Sequence, residues 1–331
     1  MITGIGSFPF TNIDEAIDLI FSTCGEVPFW PQLPKRSSLE NMYTTFLEGI
    51  PSVVIDAEKN TVYMDTQQTE GIEKFYDNVA GDVIEAFRIT DNVAPGFYRF
   101  LERLKEIRKG VRYIKCQLTG PFSMGLGLKD KHGTPIIHNN AFYDIIKKAV
   151  HMKAKWMIHT IQTTYPEKDI IIFFDEPYMV SFGSAYVSVS KEDAISALNE
   201  VTEGLKAKSG IHICGNTDWS VPLNSNINIV NYDAYNYLDT IFYYQDDLAR
   251  FLAGGGQIAP GIVPSVKEEL AVSTFDTMER HVDQFRNKMR AATGAGPQGE
   301  FLITTSCGLG NLAINETQNA MELLRKLDHK R

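Results

Sequence analysis

The sequence predicts an α/β fold, a single (β/α)8 TIM barrel over residues 1–331 with an N-terminal hairpin and loop extension. Three observations predict it. Short runs rich in β-branched and aromatic residues alternate with longer stretches of helical periodicity, which implies parallel strands joined by crossover helices. The strand-like runs number about eight, a count that favours a barrel over an open doubly wound sheet. Several of them end in chemically unusual residues beside Gly or Pro, at the end where a parallel barrel builds its site.

The elements follow in order. Residues 2–8 read as a first strand. Residues 12–22 read as a helix, with Asn12 as N-cap and Asp14 and Glu15 in the first turn. Residues 52–56 and 61–65 flank Ala57-Glu58-Lys59-Asn60 and read as a hairpin. The second strand of the barrel is the least distinct. Residues 84–109 read as mostly helical, and residues 112–118 as a strand running into Thr119-Gly120-Pro121. A long helical pattern, 140–165, precedes a buried strand, 170–174, that ends at Asp175-Glu176-Pro177. Residues 191–208 are helical, and strands follow at 210–214, 227–232, 257–263 and 301–305, with helices at 248–253, 265–292 and 316–327. Gly254-Gly255-Gly256 precedes a strand, so it reads as a helix-ending loop rather than a dinucleotide fingerprint.

Composition narrows the function. The chain is 44% hydrophobic and 22% charged, the make-up of a globular protein, with a net charge of −9. No Lys/Arg-rich run suggests nucleic acid as a partner. No apolar stretch approaches the roughly 18 residues of a membrane span. The first residues, Met1-Ile2-Thr3-Gly4, show no signal-peptide pattern. The four cysteines Cys24, Cys116, Cys214 and Cys307 are too few for a disulfide framework and fit a reducing cytoplasm.

The candidate chemistry lies at the strand ends. His212 and Cys214 sit one residue apart where a strand gives way to a Gly-containing loop, and Cys307 stands in the same setting far downstream. An imidazole and two thiolates suit Zn2+, which is borderline soft and tetrahedral; the plain alternative is a His and Cys packed in a strand. Asp233 ends the strand after this pair and reads either as a turn residue or as a fourth, oxygen ligand. Asp175 and Glu176 read either as a helix cap or as carboxylates at the barrel mouth, with Asp175 paired to a substrate ammonium. Gln117 leads into the Thr-Gly-Pro turn. The Pro-rich stretch 29–36 reads as a loop packed over the barrel, or as a lid in which Gln32 and Arg36 contact substrate. His132 and His138 read as surface histidines, Cys24 and Cys116 as buried thiols, and the tyrosines between Tyr232 and Tyr244 as core or pocket wall.

Five motifs in order, Gly4-Ile5-Gly6-Ser7-Phe8-Pro9, Leu118-Thr119-Gly120-Pro121, Asp175-Glu176-Pro177, His212-Ile213-Cys214-Gly215 and Cys307-Gly308-Leu309, resemble the catalytic barrel of cobalamin-independent methionine synthase. The wider group includes zinc methyltransferases acting between corrinoid proteins and thiols, and uroporphyrinogen decarboxylase. The resemblance spans almost the whole chain, in a short, core-only form. It implies a (β/α)8 barrel with zinc held by His212, Cys214, Asp233 and Cys307, where Asp233 stands in place of the family's Glu. It also implies that Ile5, Gly6 and Ser7 hold the carboxylate of homocysteine and that Asp175 receives its ammonium group.

Two departures bear on the methyl donor. The folate-using enzymes carry an Asn-Trp soon after Thr-Gly-Pro, on which the pterin stacks; here Phe122-Ser123-Met124-Gly125-Leu126-Gly127 follows. They also carry a His near the end of the seventh strand that protonates the leaving nitrogen, and residues 259–265 contain none. The expected activity is therefore zinc-dependent transfer of a methyl group to a thiol, homocysteine or a relative, from a methyl-corrinoid rather than methyltetrahydrofolate. No Asp-x-His-x-x-Gly run is present, so the corrinoid would arrive on a partner protein. Asp175 and Glu176 are the expected catalytic carboxylates, and Gln32, Arg36 and Gln117 join Ile5, Gly6, Ser7 and Asp175 as expected substrate contacts. The alternatives are a decarboxylase like uroporphyrinogen decarboxylase, or a zinc- or corrinoid-partner-binding protein without catalysis.

Overall fold

The computed structural model describes residues 1–56, 61–106, 110–184, 187–293 and 301–328. A two-stranded antiparallel hairpin, β1 (Val53–Asp56) and β2 (Thr61–Met64), stands apart from the main sheet. Its expected turn, Ala57 to Asn60, lies outside the described residues. The main sheet is parallel and six-stranded: β3 (Tyr113–Thr119), β4 (Asp169–Asp175), β5 (Lys208–Ile213), β6 (Ile229–Asp233), β7 (Gln257–Val263) and β8 (Thr304–Thr305), paired in chain order.

This is a correction to the expected set of eight strands. Six form a curled half-barrel, and the arc from β8 back to β3 is spanned by two irregular segments, hereafter staves. Single parallel bridges join them: Ile2 to Ile303, Ser7 to Gln32, and Phe29 to Lys115. The hydrogen bonds are sparse. Thr3 N–H donates to the Ile303 carbonyl at 3.1 Å, Phe8 N–H to the Gln32 carbonyl at 2.9 Å, and Lys115 N–H to the Pro28 carbonyl at 2.9 Å. The physical reason is local. Gly4 and Gly6 lack side chains to pack, and Pro28 and Pro31 have no N–H for a ladder. The hairpin is thus not the second barrel strand. The stretch from Phe29 to Leu33, read from sequence as a loop or lid, fills that position and is buried.

The strands place side chains in alternating rows. Ile171 and Phe173 of β4, Ile229 of β6 and Ala259 of β7 form one buried cluster with Val27 and Leu302, inside the curl. The same rows, continued toward the C-terminal strand ends, carry Lys115, Gln117, Asp175, His212, Asn231 and Thr304. A larger apolar cluster joins the outer faces of the strands to the helices.

The helices follow their local signals with some changes of boundary. Helix Ile13–Thr23 is capped by Asn12, whose side chain accepts from the N–H groups of Asp14 and Glu15; such a cap contributes about 1 kcal/mol. The expected helix at 84–109 is a short 3-10 turn, Ile84–Phe87, followed by helix Pro95–Leu104, with Pro95 at its start. Helix Asn140–Thr164 matches the long helical pattern. The pattern at 265–292 splits into Lys267–Val272 and Phe275–Thr293. There the Ser273 hydroxyl bonds back to the Glu269 carbonyl, and Thr274 accepts from the Thr277 N–H to restart the helix. Among the described residues no helix is long and apolar enough to cross a membrane.

Candidate functional site

His212 lies on β5 in register with Asp175 on one side and Asn231 on the other, and is 3% exposed. Its proton position follows from its neighbours. Thr304 Oγ1 donates to the Thr305 carbonyl at 2.8 Å, so it accepts from Asn231 Nδ2, also at 2.8 Å. Asn231 Nδ2 further donates to the Ala259 carbonyl at 2.6 Å. The Asn231 amide is therefore fixed with Oδ1 toward His212 Nδ1, 2.6 Å away. Nδ1 must carry the proton and donate. Nε2 is left with a lone pair, buried and without a partner. Burial pushes the imidazole pKa down to about 4, so the ring is neutral at pH 7. A neutral imidazole oriented through its other nitrogen is the form that binds metals.

Cys214 follows the end of β5 and Cys307 the end of β8, and their side chains are hydrogen-bonded to each other. That interaction lowers the Cys214 pKa, and it raises that of Cys307 together with burial. Asp233 ends β6 close enough to bear on Cys214. Its oxygens are already engaged: Oδ1 accepts from Asn236 N–H at 3.0 Å and Oδ2 from Asn236 Nδ2 at 2.9 Å, capping helix Ala234–Tyr237. Among the described residues, no three His, Cys, Asp or Glu side chains are gathered as a group that could hold a metal ion. The donor set fits zinc in kind, as a thiol pair and an unpartnered imidazole nitrogen, but it is not an assembled cage.

The two carboxylates after β4 differ sharply. Asp175 is 6% exposed, and its Oδ1 is buried without a partner. Burial raises its pKa, and the nearby Lys115 ammonium opposes the rise. Glu176 is fully buried and spent on structure. Oε1 accepts from Phe122 N–H at 3.0 Å and Oε2 from Ser123 N–H at 2.6 Å, at the start of helix Pro121–Gly127. The fit requires a glycine at 120, where a Cβ would lie 2.2 Å from Glu176 Oε1. Burial pushes the Glu176 pKa up to about 7 against these bonds. Its geometry is that of a group positioning the Thr-Gly-Pro turn.

The expected substrate contacts on the irregular staves gather at the same end. Ser7 packs against the Cys307 loop: a Cβ on Gly308 would lie 2.1 Å from Ser7 Oγ, and Leu309 N–H donates to the Ser7 carbonyl at 2.8 Å. Gln32 is bridged to Ser7 and is 4% exposed. The Ile5 carbonyl accepts from Lys115 Nζ at 2.6 Å, and a Cβ on Gly6 would lie 2.8 Å from the Gln117 carboxamide. Arg36 sits apart from this group, exposed, with its guanidinium 2.5 Å from Glu40.

Three residues that sequence reasoning passed over matter here. Lys115 is a cation inside an apolar strand run, a visible anomaly. Asn231 orients His212. Tyr43, whose ring packs over Gly127, lies near Glu176, Tyr178 and Cys214, and burial with those neighbours raises its pKa. His132 and His138 are exposed, as expected of surface histidines, and His138 lines a cavity of about 420 Å³ with Asp130 and Asn139. Cys24 and Cys116 are fully buried thiols.

No protein-family model matches the sequence, and no curated protein matches it. Solved structures do. A B12-independent methionine synthase from Shewanella sp. W3-18-1, in complex with selenomethionine, superposes with a TM-score of 0.59 at 15% identity, covering 99% of this chain and 97% of that one. A methyltransferase from Methanosarcina mazei superposes with a TM-score of 0.62 at 12% identity, covering 99% and 94%. At such identities the likeness is one of fold. The chain has the fold shared by the Shewanella methionine synthase and the Methanosarcina methyltransferase, along the full described length of its half-barrel and staves.

Proposed function

We propose that this protein is a zinc-dependent methyltransferase that moves a methyl group to the thiol of a small amino acid such as homocysteine. The observation that carries the reading is the Cys214–Cys307 thiol pair at one end of the sheet, with the lone pair of His212 Nε2 buried and unpartnered on β5, the strand that Cys214 follows. An orphaned buried acceptor costs free energy unless a ligand meets it. His212 Nε2, Cys214 and Cys307 would hold the metal, and Asp233 would join them through an oxygen that also accepts from Asn236. When bound, zinc would keep an acceptor thiol deprotonated and nucleophilic at neutral pH.

The chain's own residues do the remaining work. Asn231 holds His212 in the tautomer that leaves Nε2 free. Asp175 offers an unpartnered carboxylate oxygen to a substrate ammonium, and the methionine synthase structure that contains selenomethionine supports an amino-acid ligand. Glu176 fixes the turn beside Asp175 and makes no contact that competes for substrate. The donor we favour is a methyl-corrinoid carried by a partner protein, because no Trp follows Pro121 and no His lies in 259–265. Losing general-acid help to a leaving nitrogen would cost a folate reaction about 10²–10⁴-fold.

The test is a methyl-transfer assay with the zinc-loaded protein and homocysteine. Methionine should form from methylcobalamin and not from methyltetrahydrofolate. Turnover with methyltetrahydrofolate at an equal or higher rate would overturn the donor assignment, and no methylation of any thiol from either donor would overturn the activity.

A further inference from the structure

The two thiols of the candidate site are held differently. Cys214 directly follows the six-residue strand β5, whereas Cys307 sits in a turn after β8, a strand of two residues. That turn is fastened on both flanks. Ser306 N–H donates to the Val263 carbonyl at 2.7 Å, and Ser306 Oγ accepts from Ser265 N–H at 3.0 Å. On the other flank Leu309 N–H donates to the Ser7 carbonyl at 2.8 Å. The peptide unit between these fasteners, made of the Cys307 carbonyl and the Gly308 N–H, is held by a side chain. Thr305, 1% exposed, donates from Oγ1 to the Cys307 carbonyl at 2.8 Å. A trans peptide is planar, with its carbonyl and N–H pointing in opposite directions. Fixing the Cys307 carbonyl therefore fixes the Gly308 N–H, which is hydrogen-bonded to Cys307 Sγ.

Rotation of that one unit would leave Ser306 and Leu309 in place, since it needs only a change of ψ at 307 and of φ at 308. Position 308 has to be glycine, because a Cβ there would lie 2.1 Å from Ser7 Oγ, and glycine resists such a rotation least. The residue that packing against Ser7 demands is thus the one that leaves the peptide free to turn. We infer that Thr305 is a positioning residue for the metal centre, its hydroxyl locking the Cys307–Gly308 peptide so that the Gly308 N–H meets Cys307 Sγ. The inference rests on the zinc reading above and adds to it a residue that acts on the metal through the backbone. An N–H aimed at sulfur supports the negative charge that a zinc-bound sulfur carries. With the peptide turned over, the Cys307 carbonyl oxygen would face the sulfur instead, and an attraction would become a repulsion.

Zinc affinity of the full-length protein, measured by competition with a chromophoric chelator, tests this. Thr305→Val removes the hydroxyl, keeps the methyl and nearly conserves volume. It should weaken zinc binding by about 10- to 100-fold, the usual cost of losing a partner that orients a metal ligand. Thr305→Ser keeps the hydroxyl, loses the methyl and should bind zinc as the wild type does. A merely structural threonine would give the reverse order, because its packing resides in the methyl group. If Thr305→Val does not fold, Thr305→Ala against Thr305→Ser isolates the same hydroxyl. Wild-type affinity in the variant without the hydroxyl, or a loss in Thr305→Ser equal to or greater than in that variant, would overturn the inference and leave the metal centre standing. A wild type that binds no zinc would overturn both.

Discussion

At the scale of single residues, the molecule spends its buried charges in two ways. Glu176 and Asp175 are neighbours in sequence, yet one accepts at both oxygens from the N–H groups of Phe122 and Ser123 and the other keeps an oxygen free. Sequence alone offered the cap and the substrate contact for both; which carboxylate takes which role depends on how Gly120 lets Glu176 approach, and that is a three-dimensional fact. Lys153 is a buried cation outside the site. Its Nζ is held by the Glu48 carbonyl at 2.8 Å, and burial pushes its pKa down to about 8 from 10.5. Its folded pKa is the lower one, so the unfolded chain binds the extra proton between those values. The stabilising contribution is complete above the unfolded pKa and is lost as pH falls through about 8. Lys153→Met lacks this dependence. Between pH 8 and pH 10.5 the wild type should gain up to about 3 kcal/mol on Lys153→Met in urea unfolding. A stability difference that stays flat across that window would show that Lys153 does not titrate as its burial implies.

At the scale of elements, β5 decides where the candidate site sits. Its inward row is Lys208, Gly210 and His212, and the glycine is there because Phe173 of β4 occupies the space: a Cβ at 210 would lie 2.3 Å from that ring. Gly210→Ala should therefore destabilise the fold by about 1–3 kcal/mol through overpacking, seen as a lower denaturant midpoint. An unchanged midpoint would mean that the Phe173 ring moves freely, and Lys115, which stands over it, would not be held as described. The strands on this side were legible in sequence because apolar runs end abruptly in His212-Ile213-Cys214-Gly215 or Asp175-Glu176-Pro177. The second stave was not. Pro28, Pro31 and Pro34 mark a loop by every local rule, and the Val53–Met64 hairpin offered a better-looking strand nearby. What holds that stave in the wall is tertiary: the Phe29 ring against Gly4, the Trp30 carbonyl on Gln117, and the Lys115 bond to Ile5 of the first stave. Side-chain contacts and a few isolated backbone bonds stand in for a regular ladder, and periodicity does not register them.

At the scale of the whole molecule, the half-barrel brings strand ends more than ninety residues apart in sequence into one place, and Cys214 meets Cys307 there. Alternation of strands and helices made the architecture readable. The His-x-Cys pair and the late Cys made the thiol pair readable, because each lies where a strand stops. The role of Asn231 in holding the His212 tautomer was hidden, since it depends on Ala259 and Thr304 from two other strands. The same geometry sets the most direct test of the central claim, that His212, Cys214 and Cys307 together form a metal centre. The measurement is zinc content of the purified protein, with X-ray absorption at the zinc edge to count sulfur and nitrogen neighbours. The account predicts about one zinc per chain, bound by two sulfurs and at least one imidazole nitrogen, and most of the metal lost in Cys214→Ser and in Cys307→Ser. A protein that takes up no zinc, or variants that keep all of it, would contradict it.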